Sequence, residues 1–95
     1  MSLKKLRRKI DGVDKKILSL INQRVKVVSD ISRLKEKNKL GVFFPDREAG
    51  ILRKIKKLNK GPVENRDIEI IFGDVLSICR AVQTTLDIAY LGPEG

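Results

Sequence analysis

A chain of 95 residues makes one small domain with a modest core, and 41% hydrophobic against 35% charged residues excludes a disordered polymer. The excess of 21 Lys+Arg over 12 Asp+Glu gives a formal net charge of +9, which points to an anionic partner: nucleic acid, an acidic membrane surface or a small polyanion. The absence of His rules out histidine acid–base chemistry and His-ligated metals, and 4% aromatics without Trp supply few stacking platforms for single-stranded nucleic acid.

No apolar run approaches the roughly 18 residues a membrane span needs, and the N-terminal stretch lacks the apolar region of a signal peptide. One cysteine, Cys79, gives no disulfide framework, so a cytoplasmic protein is expected.

The first helix is expected from Ser2 or Leu3 to about Asn38, with Gly41 as its stop signal. Its apolar positions are Leu3, Leu6, Ile10, Val13, Ile17, Leu20, Val27, Ile31 and Leu34, which step by three and four like the seam of a helix packed lengthwise. Gly12 lies within it at a cost of about 1 kcal/mol relative to Ala, too little to end so long a pattern. Arg24 fills the slot between Leu20 and Val27, and a guanidinium in an apolar seam must be paired or bind something. Such a helix is about 54 Å long. A compact domain of this size has a radius of gyration of about 12–13 Å. A second copy of the chain is the expected remedy, so length alone predicts a homodimer.

After the connector Leu40–Pro45, a second helix is expected from about Asp46 to Asn59, with Pro45 and Asp46 suited to its first turn. Ile51, Leu52, Ile55 and Leu58 form its stripe, and Glu48 lies one turn before Leu52 on the same side. Lys60-Gly61-Pro62 breaks the chain. A third helix is then expected from Val63 or Asn65 to Asp87, carrying Ile68, Ile71, Val75, Ile78, Val82 and Leu86. Gly73 within it is read either as a close approach to a neighbouring helix or as mere tolerance. The stretch Ile88-Ala89-Tyr90-Leu91 followed by Gly92-Pro93-Glu94-Gly95 reads as a first strand and turn. The fold class predicted from these elements is all-α, with one very long, one short and one medium helix.

Two cations share a face. Lys35 follows Arg24 by eleven residues, just over three full turns, about 16 Å along the axis. Both side chains could reach one small dianion between them. Arg7 lies seventeen residues before Arg24, about 25 Å away and a quarter turn round. It joins the same pocket only if it arrives from another subunit. Blander readings stand beside these. Most of the basic residues are solvated face charges, Arg24 could be held in a buried ion pair, and Lys35 could snorkel past Leu34. Glu48 could simply be Arg24's partner, Gln83 a boundary amide, and Cys79 a small core residue.

Taken together, these residues resemble a known family. Leu6-Arg7-Arg8-Lys9-Ile10-Asp11-Gly12-Val13-Asp14, Asn22-Gln23-Arg24, Lys35, Pro45-Asp46-Arg47-Glu48 and Cys79-Arg80-Ala81-Val82-Gln83 are similar, in order and spacing, to the all-helical chorismate mutases. The likeness is to the mutase domain at the front of bifunctional chorismate mutase–prephenate dehydratases, and it covers residues 3–87. The stretch Ala89–Gly95 resembles the opening of the dehydratase domain. The resemblance therefore implies a mutase domain over residues 1–87, and over 88–95 the start of a truncated downstream domain of a longer protein.

It also implies an intertwined helical homodimer that rearranges chorismate to prephenate in phenylalanine and tyrosine biosynthesis, without covalent intermediate, metal or cofactor. Active sites would be shared between chains. Arg24, and Arg7 from the other subunit, would bind the substrate's two carboxylates, since each guanidinium offers a bidentate fork. Lys35 and Gln83 would donate to the ether oxygen as charge builds there, with Lys35 also near a carboxylate. Glu48 would accept from the ring hydroxyl, and Arg47 would support the carboxylate side. Neither nucleic acid nor membrane is implied as a partner.

Two positions depart from the family's commonest pattern. Phe44 stands where an acidic residue is frequent, three positions before Arg47, and Cys79 stands where a small hydroxyl residue is usual. A thiol is a weaker donor than a hydroxyl. Two alternatives remain: an isochorismate–pyruvate lyase-like variant of the fold, or a basic helical nucleic-acid-binding or scaffolding coiled coil.

Overall fold

The computed structural model describes residues 2–38 and 45–91, and describes side chains over 2–34 and 47–83. Three helices follow one another: α1 Leu3–Asn38, α2 Pro45–Leu58 and α3 Asn65–Leu91. No strand occurs among the described residues. The connector before Pro45, including the stop signal Gly41 and Phe44, lies outside the described residues.

Local chemistry sets the helix ends. The first turn of α1 holds no acidic residue, and its cap is Ser2. The amide of Lys5 donates to Ser2 Oγ at 3.1 Å, satisfying an otherwise orphaned donor, and that of Leu6 makes the first helical bond, to the Ser2 carbonyl at 3.1 Å. Lys56 and Lys57 occupy the last turn of α2, where positive charge suits the partial negative charge of a helix C-terminus.

Asn59 then organises the turn into α3. Its Nδ2 donates to the Val63 carbonyl at 2.7 Å and to Asn65 Oδ1 at 2.8 Å, while its Oδ1 accepts from the Gly61 amide at 2.9 Å. Gly61 has φ of 78°, a left-handed conformation that a side chain would strain. The Glu64 carbonyl accepts from the amides of Asp67 and Ile68, which starts α3.

The third helix continues through Leu91, past Asp87, where the sequence pattern placed its end. The run Ile88–Leu91 is helical and not a strand. Leu, Ala and Ile within it are compatible with a continuing helix, and the first strong breaker is Gly92-Pro93.

Packing is organised by α3, which lies against both α1 and α2. The small core among the described residues sits there, with Leu76 at 5%, Cys79 at 4% and Ser32 at 4% exposure. On α1 the half-buried positions are Ile21, Arg24, Val25, Val28 and Ser29, which together with buried Ser32 make a stripe toward α3. The apolar seam read from the sequence is a different stripe. Ile17 is 50% exposed, Leu20 61% and Leu34 57%, and every described residue from Ser2 to Leu20 is exposed.

The chain is accordingly extended. Its radius of gyration is 17.2 Å and it measures 58 × 29 × 17 Å. Its accessible surface is 7928 Å², whereas a compact monomer of this mass exposes about 5,500 Å². A Cβ at Gly12 or Gly73 would meet nothing within 4 Å, so neither glycine serves a close approach among the described residues. No helix is long and apolar enough to cross a membrane among the described residues.

Candidate active site

Of the residues singled out by sequence, Arg24, Glu48, Cys79 and Gln83 lie along the faces where α3 packs against α1 and against α2. Arg24 rides at the boundary between the exposed seam of α1 and its α3-facing stripe, half-buried. Its Nη1 donates to Sγ of Cys79 on α3 at 3.0 Å. Cys79 is therefore both the buried core residue that its small apolar side chain suggests and the acceptor that orients Arg24. Among the described residues no carboxylate lies within ion-pair distance of Arg24. A buried structural ion pair for this guanidinium is not formed among the described residues.

Glu48, on the inner side of α2, pairs with Arg80 and not with Arg24, the partner of its blander reading. Arg80 of α3 grips it with both prongs, Nε to Oε2 at 3.0 Å and Nη2 to Oε1 at 2.9 Å. These hydrogen bonds are the main reason the Glu48 carboxyl is held below its ordinary range; partial burial opposes them, and the charges of Arg80 and Arg24 add to the lowering. Arg80 in turn is raised, chiefly by its hydrogen bonds to Glu48. Arg24 thus lies close enough to Glu48 to be felt, without touching it.

Cys79 and Arg80 are consecutive, so their side chains leave α3 about 100° apart, one toward α1 and one toward α2. Gln83 follows Cys79 by one turn on the same side of α3 and is half-buried. Arg47 is exposed beside Glu48. Lys35 is in α1 three turns beyond Arg24, and its side chain lies outside the described residues. Arg7 is exposed on the projecting half of α1, and the chain does not bring it to this junction. Arg80 is the participant the sequence reading passed over, although it stands between Cys79 and Gln83 on one patch of helix.

One further polar group is enclosed nearby. Ser32, one turn before Lys35, has its Oγ buried without a hydrogen-bond partner. Among the described residues no group of three or more His, Cys, Asp or Glu side chains gathers to hold a metal ion.

Three helices, with α3 packed against both α1 and α2 and no strand among the described residues, define an all-helical class. The chain belongs to the chorismate mutase type II family, which it matches over residues 6–84. It is 43% identical over 99 aligned residues to a bifunctional chorismate mutase/prephenate dehydratase of Pseudomonas aeruginosa, a match spanning 98% of this chain and 27% of that protein. It is 34% identical over 82 residues to a chorismate mutase of Methanocaldococcus jannaschii, covering 85% of this chain and 83% of that one. Among solved structures it is similar to form II of chorismate mutase from Thermus thermophilus, with a TM-score of 0.80, 27% identity, and coverage of 86% of this chain and 93% of the other. The chain spans about a quarter of the length of the bifunctional relatives it matches.

Proposed function

We propose that the chain is a chorismate mutase that acts as an intertwined homodimer, rearranging chorismate to prephenate. The observation that carries this reading is Arg24. A half-buried guanidinium held by a weak thiol acceptor, with no carboxylate paired to it among the described residues, keeps donors ready for an incoming carboxylate.

The reaction is intramolecular, so the protein's task is to hold one compact conformer and stabilise charge on the ether oxygen. Arg24 binds one carboxylate, supported by Arg47. Arg7 of the partner subunit binds the other. Lys35 and Gln83 donate to the ether oxygen, and Lys35 also sits near a carboxylate. Glu48 accepts from the ring hydroxyl. None of these roles calls for a cofactor or metal, and a cytoplasmic location accords with the lone, unpaired cysteine.

The dimer is supported by the uncovered seam of α1 and by the excess accessible surface, about 2,400 Å² per chain over a compact monomer. That is the scale of an obligate homodimer interface. The division into a mutase domain and the opening of a dehydratase-like domain rests on the likeness of the last residues to the bifunctional relatives, with α3 carrying the helical part on to Leu91.

The test is to follow loss of chorismate and gain of prephenate with the purified chain. Turnover well above the uncatalysed rate is expected. A folded dimer that leaves chorismate unchanged, or yields pyruvate from isochorismate instead, overturns the reading.

A further inference from the structure

Glu48 presents a difficulty for a site that takes a dianion. A bare carboxylate there would repel the ligand's carboxylates, and in a partly desolvated site that repulsion is only weakly screened. The structure supplies a remedy on the neighbouring helix. Arg80 reaches from α3 to α2 and engages both oxygens of Glu48, at 3.0 and 2.9 Å. A carboxylate offers about four lone-pair directions, so two donated hydrogen bonds leave room for a hydroxyl to donate as well.

We propose that Arg80 is a positioning residue for this site: its two-pronged grip balances the charge of Glu48 and fixes the plane of the carboxylate, so that an anionic ligand meets an oriented acceptor instead of a repelling charge. This rests on the reading of Glu48 as the acceptor for the substrate hydroxyl. Among the described residues, the charged and titratable groups facing Glu48 are Arg80 from α3 and, at longer range, Arg24 from α1; the Cys79 thiol from α3 is engaged by Arg24. Of these, Arg80 holds both carboxylate oxygens, and it dominates the lowering of the Glu48 carboxyl.

Arg80 is not needed merely to join α2 to α3. A second ion pair, Lys56 Nζ to Glu69 Oε1 at 2.6 Å, ties the same two helices. On α3 it lies eleven residues from Arg80, about 16 Å away. It provides a control with the same structural character and no place in the site.

The experiment uses the whole chain and compares Arg80→Gln, Arg80→Lys, Lys56→Gln, Glu48→Gln and the double variant Glu48→Gln/Arg80→Gln. Two quantities are read: KM and kcat for chorismate against pH, and the titration of the Glu48 carboxyl followed by NMR. For Arg80→Gln, KM is expected to rise about tenfold, the scale of one charge-assisted hydrogen bond, with kcat less affected. The acid limb and the Glu48 titration both move to higher pH. Arg80→Lys recovers part of each change, and Lys56→Gln shows neither. In the Glu48→Gln background, adding Arg80→Gln changes little, because the coupling partner is gone.

The proposal is overturned if Arg80→Gln leaves the Glu48 titration and the acid limb where they are, or if it costs as much in the Glu48→Gln background. Wild-type chain that does not turn over chorismate would instead remove the functional reading. In that case the Glu48 titration in Arg80→Gln still decides whether Arg80 governs that carboxylate, and an unmoved titration overturns the proposal on its own.

Discussion

Arg24 and Cys79 meet across the α1–α3 contact with Nη1 3.0 Å from Sγ, so the guanidinium is aimed by an acceptor that does not neutralise it. This relationship makes Arg24→Lys a non-conservative change, because a lysine loses the planar fork and cannot hold the thiol and a carboxylate together. We expect kcat/KM to fall by about 10²-fold, the scale of losing a charge-assisted bidentate contact, with helix content by circular dichroism unchanged. Cys79→Ala should cost about 1 kcal/mol in thermal or denaturant unfolding, since a buried sulfur is lost, and should raise KM by loosening Arg24. A Cys79→Ala enzyme with unaltered KM would show that Arg24 is aimed by something else.

Lys35→Ala tests the ether-oxygen role. Removing one preorganised donor at developing charge costs about 10²–10³ in rate. Steady-state kinetics on a variant that keeps the wild type's solution mass would show this fall in kcat. Near-normal activity would remove Lys35 from the mechanism.

Sharing of sites between chains has a clean signature in mixtures. Arg7→Ala and Arg24→Ala homodimers should each be nearly inactive. After unfolding and refolding together, roughly a quarter of wild-type activity should return, because half the dimers are mixed and each carries one intact site of two. If both arginines of a site came from one chain, mixing would restore nothing.

How much of this was legible in the sequence differs by element. The bounds of α1 followed from Ser2 and the three-and-four spacing. That spacing showed one stripe, however, while the folded chain uses another, Ile21, Val25, Val28 and Ser32, to meet α3. A helix wheel holds both stripes, and only packing tells which faces inward. Glu48 is legible as inward-facing on α2, but the blander reading that pairs it with Arg24 is not what forms. Arg24 and Arg80 both suit a carboxylate, and the choice between them depends on the angles at which α1 and α2 cross α3, which no spacing within one helix encodes. The continuation of α3 to Leu91 was hidden because Ile88-Ala89-Tyr90-Leu91 satisfies strand and helix alike when taken alone.

Ser32 illustrates a cost the fold carries. Its hydroxyl is buried without a partner, and an unsatisfied buried polar group costs about 1–3 kcal/mol. Ser32→Ala is therefore expected to stabilise the chain, by about 1 kcal/mol once the better helix propensity of Ala is included. Chemical denaturation would measure it. A loss of stability would mean that the hydroxyl has a partner in the assembled protein.

Acidification should act through Glu48. Its folded carboxyl titrates below the ordinary value of 4.5, chiefly because of the Arg80 hydrogen bonds. A group lowered on folding contributes stability that is fully present above the unfolded value and is lost as pH falls through the folded one. Relative to Glu48→Gln, the wild-type chain should therefore be most favoured near neutrality and lose that advantage below 4.5. Melting temperatures of the pair across that range give the answer, and a constant difference would disconnect Glu48 from the acid response.

The consecutive residues Cys79 and Arg80 set a gauge for the whole site. One backbone step on α3 sets the angle, about the axis of α3, between the side chain that meets Arg24 and the side chain that meets Glu48. Side chains can be exchanged at that junction and the gauge survives. A single residue inserted in or deleted from α3 between Glu69 and Arg80 would turn Cys79 and Arg80 by about 100° relative to the Lys56 tie. The site would then lose its width without losing any of its parts, so the junction depends on residue number along α3 as well as on residue identity.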